Sequence, residues 1–268
     1  RELSSVIGLP VLVNVPRVRR RWRRRRDYML GEVEEEAYQT LRTTLEFSAW
    51  ADDGHALLLV SSAMASEGKS TVVARLGRAL ARGGHRTLIV SADLRVPTLH
   101  EHFDIPGDIP GLAEILTAIN ASDNRKAIPD LLRRTINVVV ASPGGEPGSG
   151  CLHLISSGKR VHDPGRLVSG PPMRDFLGEV RRLDYDYVLI DSPPLLGLAD
   201  SQALAQWADA TIITAWVERM TLDRAGELRT LLERLDARAL GLVVIGGAPA
   251  EISPYYLAGR QAVASGEQ

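Results

Sequence analysis

The stretch VSSAMASEGKST, Val60–Thr71, decides how this chain is read. It follows ALLLV (56–60), an apolar run of strand length, and leads into KSTVVARLGRALAR (69–82), where apolar residues recur at helical spacing until Gly83 and Gly84 stop them. A strand that runs through such a loop into a helix aims several backbone N–H groups at one spot, which suits phosphate oxygens. Gly68 allows close backbone approach, Lys69 can reach β- and γ-phosphates, Ser70 can offer its hydroxyl to Mg²⁺, and Thr71 can bond the α-phosphate. Glu67 to Thr71 are therefore the candidate ATP-binding residues. The P-loop pattern G-x-x-x-x-G-K-[ST] departs at its first glycine, where this chain has Ala63.

Working outward, short apolar runs alternate with amphipathic stretches. Strands are expected at 56–60, 87–90, 136–141, 152–155, 187–190, 210–214 and 240–245. Helices are expected at 32–47, 69–82, 112–118, 172–183, 200–207 and 222–235. Nearly continuous apolar strands between helices imply a parallel sheet buried on both faces. The expected fold is α/β, a P-loop NTPase-like doubly wound, mostly parallel sheet with helices on both faces. The loop SPGGEPGSG (142–150) reads as an exposed insertion.

Two further strands end in acids. YVLID (187–191) places Asp191 at the carboxyl end of a strand, the crevice where α/β folds bind ligands and where an acid can hold Mg²⁺. LIVSADLRVP (88–97) carries Asp93, and Arg95 beside it could meet phosphate or an acid. By pattern alone this second segment is a loop.

Composition bounds the rest. Charged residues at 24% and apolar residues at 44% are ordinary for a globular domain that buries a sizeable core. The single Cys151 excludes an internal disulfide and a thiolate metal site, and fits a reducing compartment. No apolar run approaches the length that crosses a bilayer. The chain opens on Arg1 and not Met, which suggests a fragment or a processed chain and leaves room for a membrane segment ahead of it. The net charge of −1 conceals RVRRRWRRRR (17–26), with eight arginines and no acid, so the rest of the chain is net acidic. A solvated linker, an anionic membrane surface and nucleic acid compete for that patch. Trp22 favours the membrane, and with no accompanying reading surface nucleic acid is not expected as a partner.

Together these segments resemble the bacterial tyrosine kinases, the cytoplasmic autokinase domains of capsule and exopolysaccharide co-polymerases. LPVL (9–12) through Val15 and Pro16 resembles the juxtamembrane stretch of that family, and EEAYQTLRTTLEF (35–47) its Glu-Ala-Tyr-Arg helix. HLISSGKRVHDPGRLVS (153–169) and LIDSPPLLGLADSQALAQWADA (189–210) are similar to the segments around its Walker B strand. The resemblance implies a juxtamembrane basic arm at 1–31, a kinase-like domain at 32–250 and a tail at 251–268. It implies ATP and magnesium on Lys69, Ser70 and Thr71, with Asp93 as the second Walker A′ acid and Asp191 as the Walker B acid. Lys69, Asp93 and Asp191 would be catalytic, Ser70, Asp93 and Asp191 metal-binding, and Tyr255 and Tyr256 the phosphoacceptors. Implied partners are copies of the chain itself in a ring and a membrane co-polymerase region or adaptor, at the cytoplasmic face of the bacterial inner membrane.

The chain departs from that pattern at informative places. Ala65 and Ser66 replace Pro and Gly of the loop, and Ser66 costs on the order of 1 kcal/mol or more if its backbone needs positive φ. Ser91 stands where the family has the Walker A′ acid thought to accept the tyrosine proton. Gln39 replaces an Arg of the assembly helix, and Gly246 an Asn that often contacts adenine. The implied function is thus an ATP-dependent tyrosine autokinase regulating polysaccharide polymerisation and export. The alternative is a pseudokinase that serves as a nucleotide-dependent assembly module. Partitioning and division-site ATPases share the fold but carry a signature Lys where this chain has Met64.

Overall fold

A computed structural model describes residues 2–16, 25–47, 55–121, 128–140 and 150–247. The chain runs α1 (Glu2–Ile7), β1 (Val11–Val15), α2 (Arg25–Glu46), β2 (Ala56–Ser62), α3 (Lys69–Arg82) and β3 (Arg86–Ser91). After a 3₁₀ turn at Leu99–Phe103 come α4 (Leu112–Ala121), α5 (Ile128–Thr135), β4 (Asn137–Val140) and β5 (Cys151–Ile155). The remainder is α6 (Pro164–Val168), α7 (Pro171–Val180), β6 (Tyr187–Asp191), α8 (Ala199–Trp207), β7 (Ala210–Trp216), α9 (Leu222–Leu235) and β8 (Ala239–Ile245). The strands form one sheet in the order β1-β8-β7-β2-β6-β3-β5-β4, parallel throughout except for β4, which runs antiparallel to β5 at the edge.

Alternation along each strand builds two cores, one per face. Leu57 and Leu59 of β2 point into one core with Leu88, Val90, Ile190 and Ile213, covered by α4, α7, α8 and α9. Leu58 and Val60 point into the other with Ile89, Leu189 and Ile212, covered by α2 and α3. Each fully buried Leu contributes about 1.5–3 kcal/mol over its exposed state, so the central strands cannot slip register without loss on both faces. Gly77 of α3 lets that helix press onto β3, because a Cβ there would lie 2.6 Å from Ile89 Cδ1 and 3.1 Å from Leu152 Cδ1.

The helices α1, α5 and α6 fall outside those expected, and two further features differ from the sequence reading. Residues 11–15, read as part of an arm, form the edge strand β1 in parallel register with β8, and α1 packs on α9. The helix expected at 32–47 starts at Arg25, drawing the end of the arginine run into regular structure. An isolated edge strand of five residues, only two of them buried, carries too little periodicity to be seen without its partner. Positions 17–24 of the run, the 142–149 part of the insertion loop and the tail with Tyr255 and Tyr256 lie outside the described residues. Among the described residues no helix is long and apolar enough to cross a membrane.

The topology creates the site. From β2 the chain passes over α3 on one face to β3, whereas from β6 it passes over α8 on the other face to β7. Connections that leave the neighbouring strands β2 and β6 in opposite directions open a crevice at their carboxyl ends. The 63–71 loop and Asp191 stand there.

Candidate functional site

The loop between β2 and α3 is held by its own residues. Gly68 has φ 82°, and a Cβ at that position would collide with the Ile245 side chain at the end of β8. Glu67 is buried and turns inward, its Oε2 accepting the Met64 backbone N–H at 2.8 Å. Burial raises its pKa, opposed by that backbone bond and by the nearby cations Lys69 and Arg224. The Glu67 side chain therefore shapes the loop, leaving the loop's N–H groups to face a ligand. Ser66 adopts φ 62°, a left-handed conformation that a serine enters at a cost. Arg219 holds it there: its Nη1 donates to the Ser66 carbonyl at 2.8 Å while its guanidinium lies 4.5 Å over the Trp216 ring. Because the backbone demand is met by strain, Ser66→Gly is expected to stabilise the protein by about 1 kcal/mol, read as a higher urea midpoint.

Lys69 and Ser70 begin α3, so the ammonium and hydroxyl sit where the helix N-terminus adds its positive end. Ser70 Oγ donates to Asp191 Oδ2 at 2.8 Å, and Thr98 Oγ1 donates to Ser70 Oγ at 3.1 Å. Asp191 is the last residue of β6 and 1% exposed, and its Oδ1 is buried with no hydrogen-bond partner. Asp93 is nearly buried, its Oδ1 accepting the N–H groups of Arg95 at 3.2 Å and Val96 at 3.0 Å. Arg95 meets an acid: its Nε donates to Asp200 Oδ2 at 2.9 Å. Ser91 is buried in β3 and pairs in register with Asp191 of β6.

The sequence-chosen residues Lys69, Ser70, Asp93 and Asp191 thus converge, with Gly68 and Thr71 framing them on the loop and α3. Sequence reasoning missed Thr98, Asp200 and Arg219. Thr98 and Arg219 lie in irregular segments, and Asp200 in ADSQ reads as an ordinary helix-start acid. Gln39, in the assembly helix, accepts a bond from Arg42 Nε at 3.1 Å, and Gly246 has φ 77° beside Trp216.

Charge at the site is dominated by burial. The Asp191 carboxyl is pushed up to about 7 by its burial, with Ser70 and Lys69 pulling down and Asp93 adding to the rise. Burial also raises Asp93, opposed by the Val96 N–H, the Lys69 ammonium and the Arg95 N–H, with Asp200 adding to the rise. A folded state that holds a proton more tightly than the unfolded chain gains stability at low pH. That gain is complete below the unfolded carboxylate value near 4 and disappears as pH rises through about 7. The urea midpoint is therefore expected to fall between about pH 5 and about pH 8, and to fall less in Asp191→Asn.

A site with one unpartnered carboxylate oxygen, a hydroxyl on its other oxygen and a lysine at a helix N-terminus fits a magnesium–nucleotide complex. Among the described residues no group of three or more His, Cys, Asp or Glu side chains is placed to hold a metal by itself. Mg²⁺ commonly takes one or two protein oxygens and fills its shell with phosphate and water, so that donor set agrees with the cation.

No protein-family model matches the chain. The chain is 33% identical over 200 residues to the candidate tyrosine-protein kinase EpsB of Ralstonia solanacearum, covering 75% of this chain but 24% of that protein. It therefore spans about a quarter of EpsB. It is 28% identical over 220 residues to the tyrosine-protein kinase YwqD of Bacillus subtilis, covering 82% of this chain and 84% of YwqD. Its fold matches the kinase domain of the Escherichia coli tyrosine kinase ETK with a TM-score of 0.71 at 23% identity, over 94% of this chain and 97% of that one. An ATP complex of the Cyanothece protein McdA matches with a TM-score of 0.51 at 19% identity, over 80% of this chain and 81% of that one. The relatives named as tyrosine kinases thus match along most of the chain, and the mostly parallel α/β sheet is the fold class the sequence led us to expect. The chain belongs to the bacterial tyrosine kinase family.

Proposed function

We propose that this domain binds ATP with Mg²⁺ and transfers its γ-phosphoryl group to tyrosine, acting as the autokinase of a capsule or exopolysaccharide export system. The observation that carries the reading is the Ser70 Oγ to Asp191 Oδ2 bond of 2.8 Å beside a buried, unpartnered Asp191 Oδ1, at the foot of the Lys69 loop. Mg-ATP supplies the transferable phosphoryl group and the cation's charge. Lys69 neutralises β- and γ-phosphate oxygens, and the backbone N–H groups of the 67–71 loop bind the remainder. Ser70 and Asp191 hold the cation, Asp93 supports it from the β3 side, and Thr71 contacts the α-phosphate.

Tyrosine phosphorylation forms a bond between the phenol oxygen and the γ-phosphorus, breaks the bond from that phosphorus to the β–γ bridging oxygen, and releases the phenol proton. Ser91 cannot take the proton, because a neutral hydroxyl is a poor base. Asp93, two residues beyond the end of β3, is the nearby carboxylate that accepts it. The acceptors are Tyr255 and Tyr256, reached on a neighbouring copy. The domain works at the cytoplasmic face of the inner membrane beside a co-polymerase or adaptor, with Arg17–Arg26 on anionic lipid.

A second reading is favoured by Ser91 itself: the domain binds nucleotide as an assembly switch and transfers little phosphate. Intact-mass measurement after incubation with Mg-ATP separates the two. A gain of phosphate at Tyr255 or Tyr256 establishes the kinase. No gain, with nucleotide binding shown by a thermal shift, establishes the switch.

A further inference from the structure

We propose that Arg95 and Asp200 form a positioning pair that fixes the Asp93 carboxylate, Arg95 joining the two acids through its backbone N–H and its Nε–H. This rests on the reading of Asp93 as part of the magnesium–nucleotide site. After β3 the chain has no regular structure until the 3₁₀ turn at Leu99–Phe103, so little local structure holds Asp93. Among the described residues its carboxylate accepts only N–H groups of its own turn, from Arg95 at 3.2 Å and Val96 at 3.0 Å. Val96 is 69% exposed and supplies no packing anchor.

The anchor is the Arg95 side chain. It crosses to the first turn of α8, where Nε donates to Asp200 Oδ2 at 2.9 Å. The Asp200 side chain is 1% exposed and that of Arg95 40% exposed, so the pair joins a buried anion to a rim cation. The positive end of α8 lowers the cost of that anion. Gly165 at the start of α6 leaves the guanidinium room, since a Cβ there would lie 2.8 Å from Arg95 Nη2. Asp200 Oδ1 is buried without a hydrogen-bond partner. Leu198 is the N-cap of α8 and no side chain caps that end, so helix capping does not account for an acid at 200. What the acid adds is a tether between the loop after β3, which carries Asp93, and the first turn of α8, the helix that follows β6.

The test uses the full chain with Asp200→Asn and Arg95→Lys, read first without nucleotide. Amide hydrogen exchange at Arg95 and Val96 is expected to accelerate about 10-fold or more in each variant, with the urea midpoint moving far less. Next, ADP binding is titrated with Mg²⁺: the half-saturating Mg²⁺ concentration is expected to rise about 10-fold, while ADP affinity without Mg²⁺ stays unchanged. Unchanged exchange at both amides in folded variants overturns the tether. Accelerated exchange with unchanged Mg²⁺ dependence overturns its role toward the cation. If Asp200→Asn does not fold, Arg95→Lys decides alone, since it keeps the charge and loses only the Nε geometry. If the unaltered chain binds no ADP, the nucleotide reading fails, and the exchange measurement still decides the tether.

Discussion

Lys69→Met is expected to lower tyrosine phosphorylation by about 10³-fold and to weaken ATP binding about 10- to 100-fold. Phosphoryl transfer depends on positioning and charge neutralisation, and Lys69 is the cation at the head of the phosphate loop. Met keeps the length and apolar stem and removes only the ammonium. The change has a second signature in the free protein, because Lys69 lowers the pKa of Glu67, Asp93 and Asp191 together. Without it all three carboxyls hold protons to higher pH, so the fall in urea midpoint with pH shifts upward. Phosphorylation measured by intact mass and binding measured by calorimetry check the first effect, and the pH series of urea melts checks the second. Unaltered phosphorylation in Lys69→Met would place the chemistry elsewhere.

Ser91→Asp is expected to act in opposite directions on stability and on rate. Ser91 is buried and opposite Asp191 in the β3–β6 register, with Asp93 two residues on. An added carboxylate there meets an existing one without solvent to separate them, costing about 3 kcal/mol unless one of the pair stays protonated. Mg²⁺ with nucleotide removes that repulsion, so most of the lost stability is expected to return when both are present. Under those conditions the new acid can accept the phenol proton, and phosphorylation is expected to rise about 10²–10⁴-fold. Melting temperature with and without Mg-ADP, followed by phosphate mapping, checks both parts. A variant that regains stability and transfers no phosphate favours the assembly-switch reading, with the acceptor tail as the next element to question.

The reading of Ser66 shows how sequence and structure divide the work. A serine where a loop of this type favours glycine predicted strain only on the condition that the backbone needs positive φ, and φ 62° meets that condition. The arginine that braces it could not be anticipated. Arg219 is distant in sequence and reaches the Ser66 carbonyl only because β7 lies beside β2 in the sheet.

Sequence alone determined the α/β class, the central strands and the loop from Glu67 to Thr71, because these depend on short-range patterns. Apolar runs of strand length, helical spacing and Gly-Lys-Ser at a helix start are each contained in a dozen residues. It also named Lys69 and Ser70 from the loop motif and Asp191 from its strand end, whereas Asp93 was named through the resemblance. Tertiary structure decided what depends on distant partners. The strand β1 exists as a strand through pairing with β8, more than 200 residues away along the chain. The bond from Ser70 to Asp191 spans 121 residues, and the link from Arg95 to Asp200 spans 105. Asp191 becomes a carboxyl that titrates near 7 because the finished sheet removes water from around it, and no local pattern of residues encodes that loss of solvent.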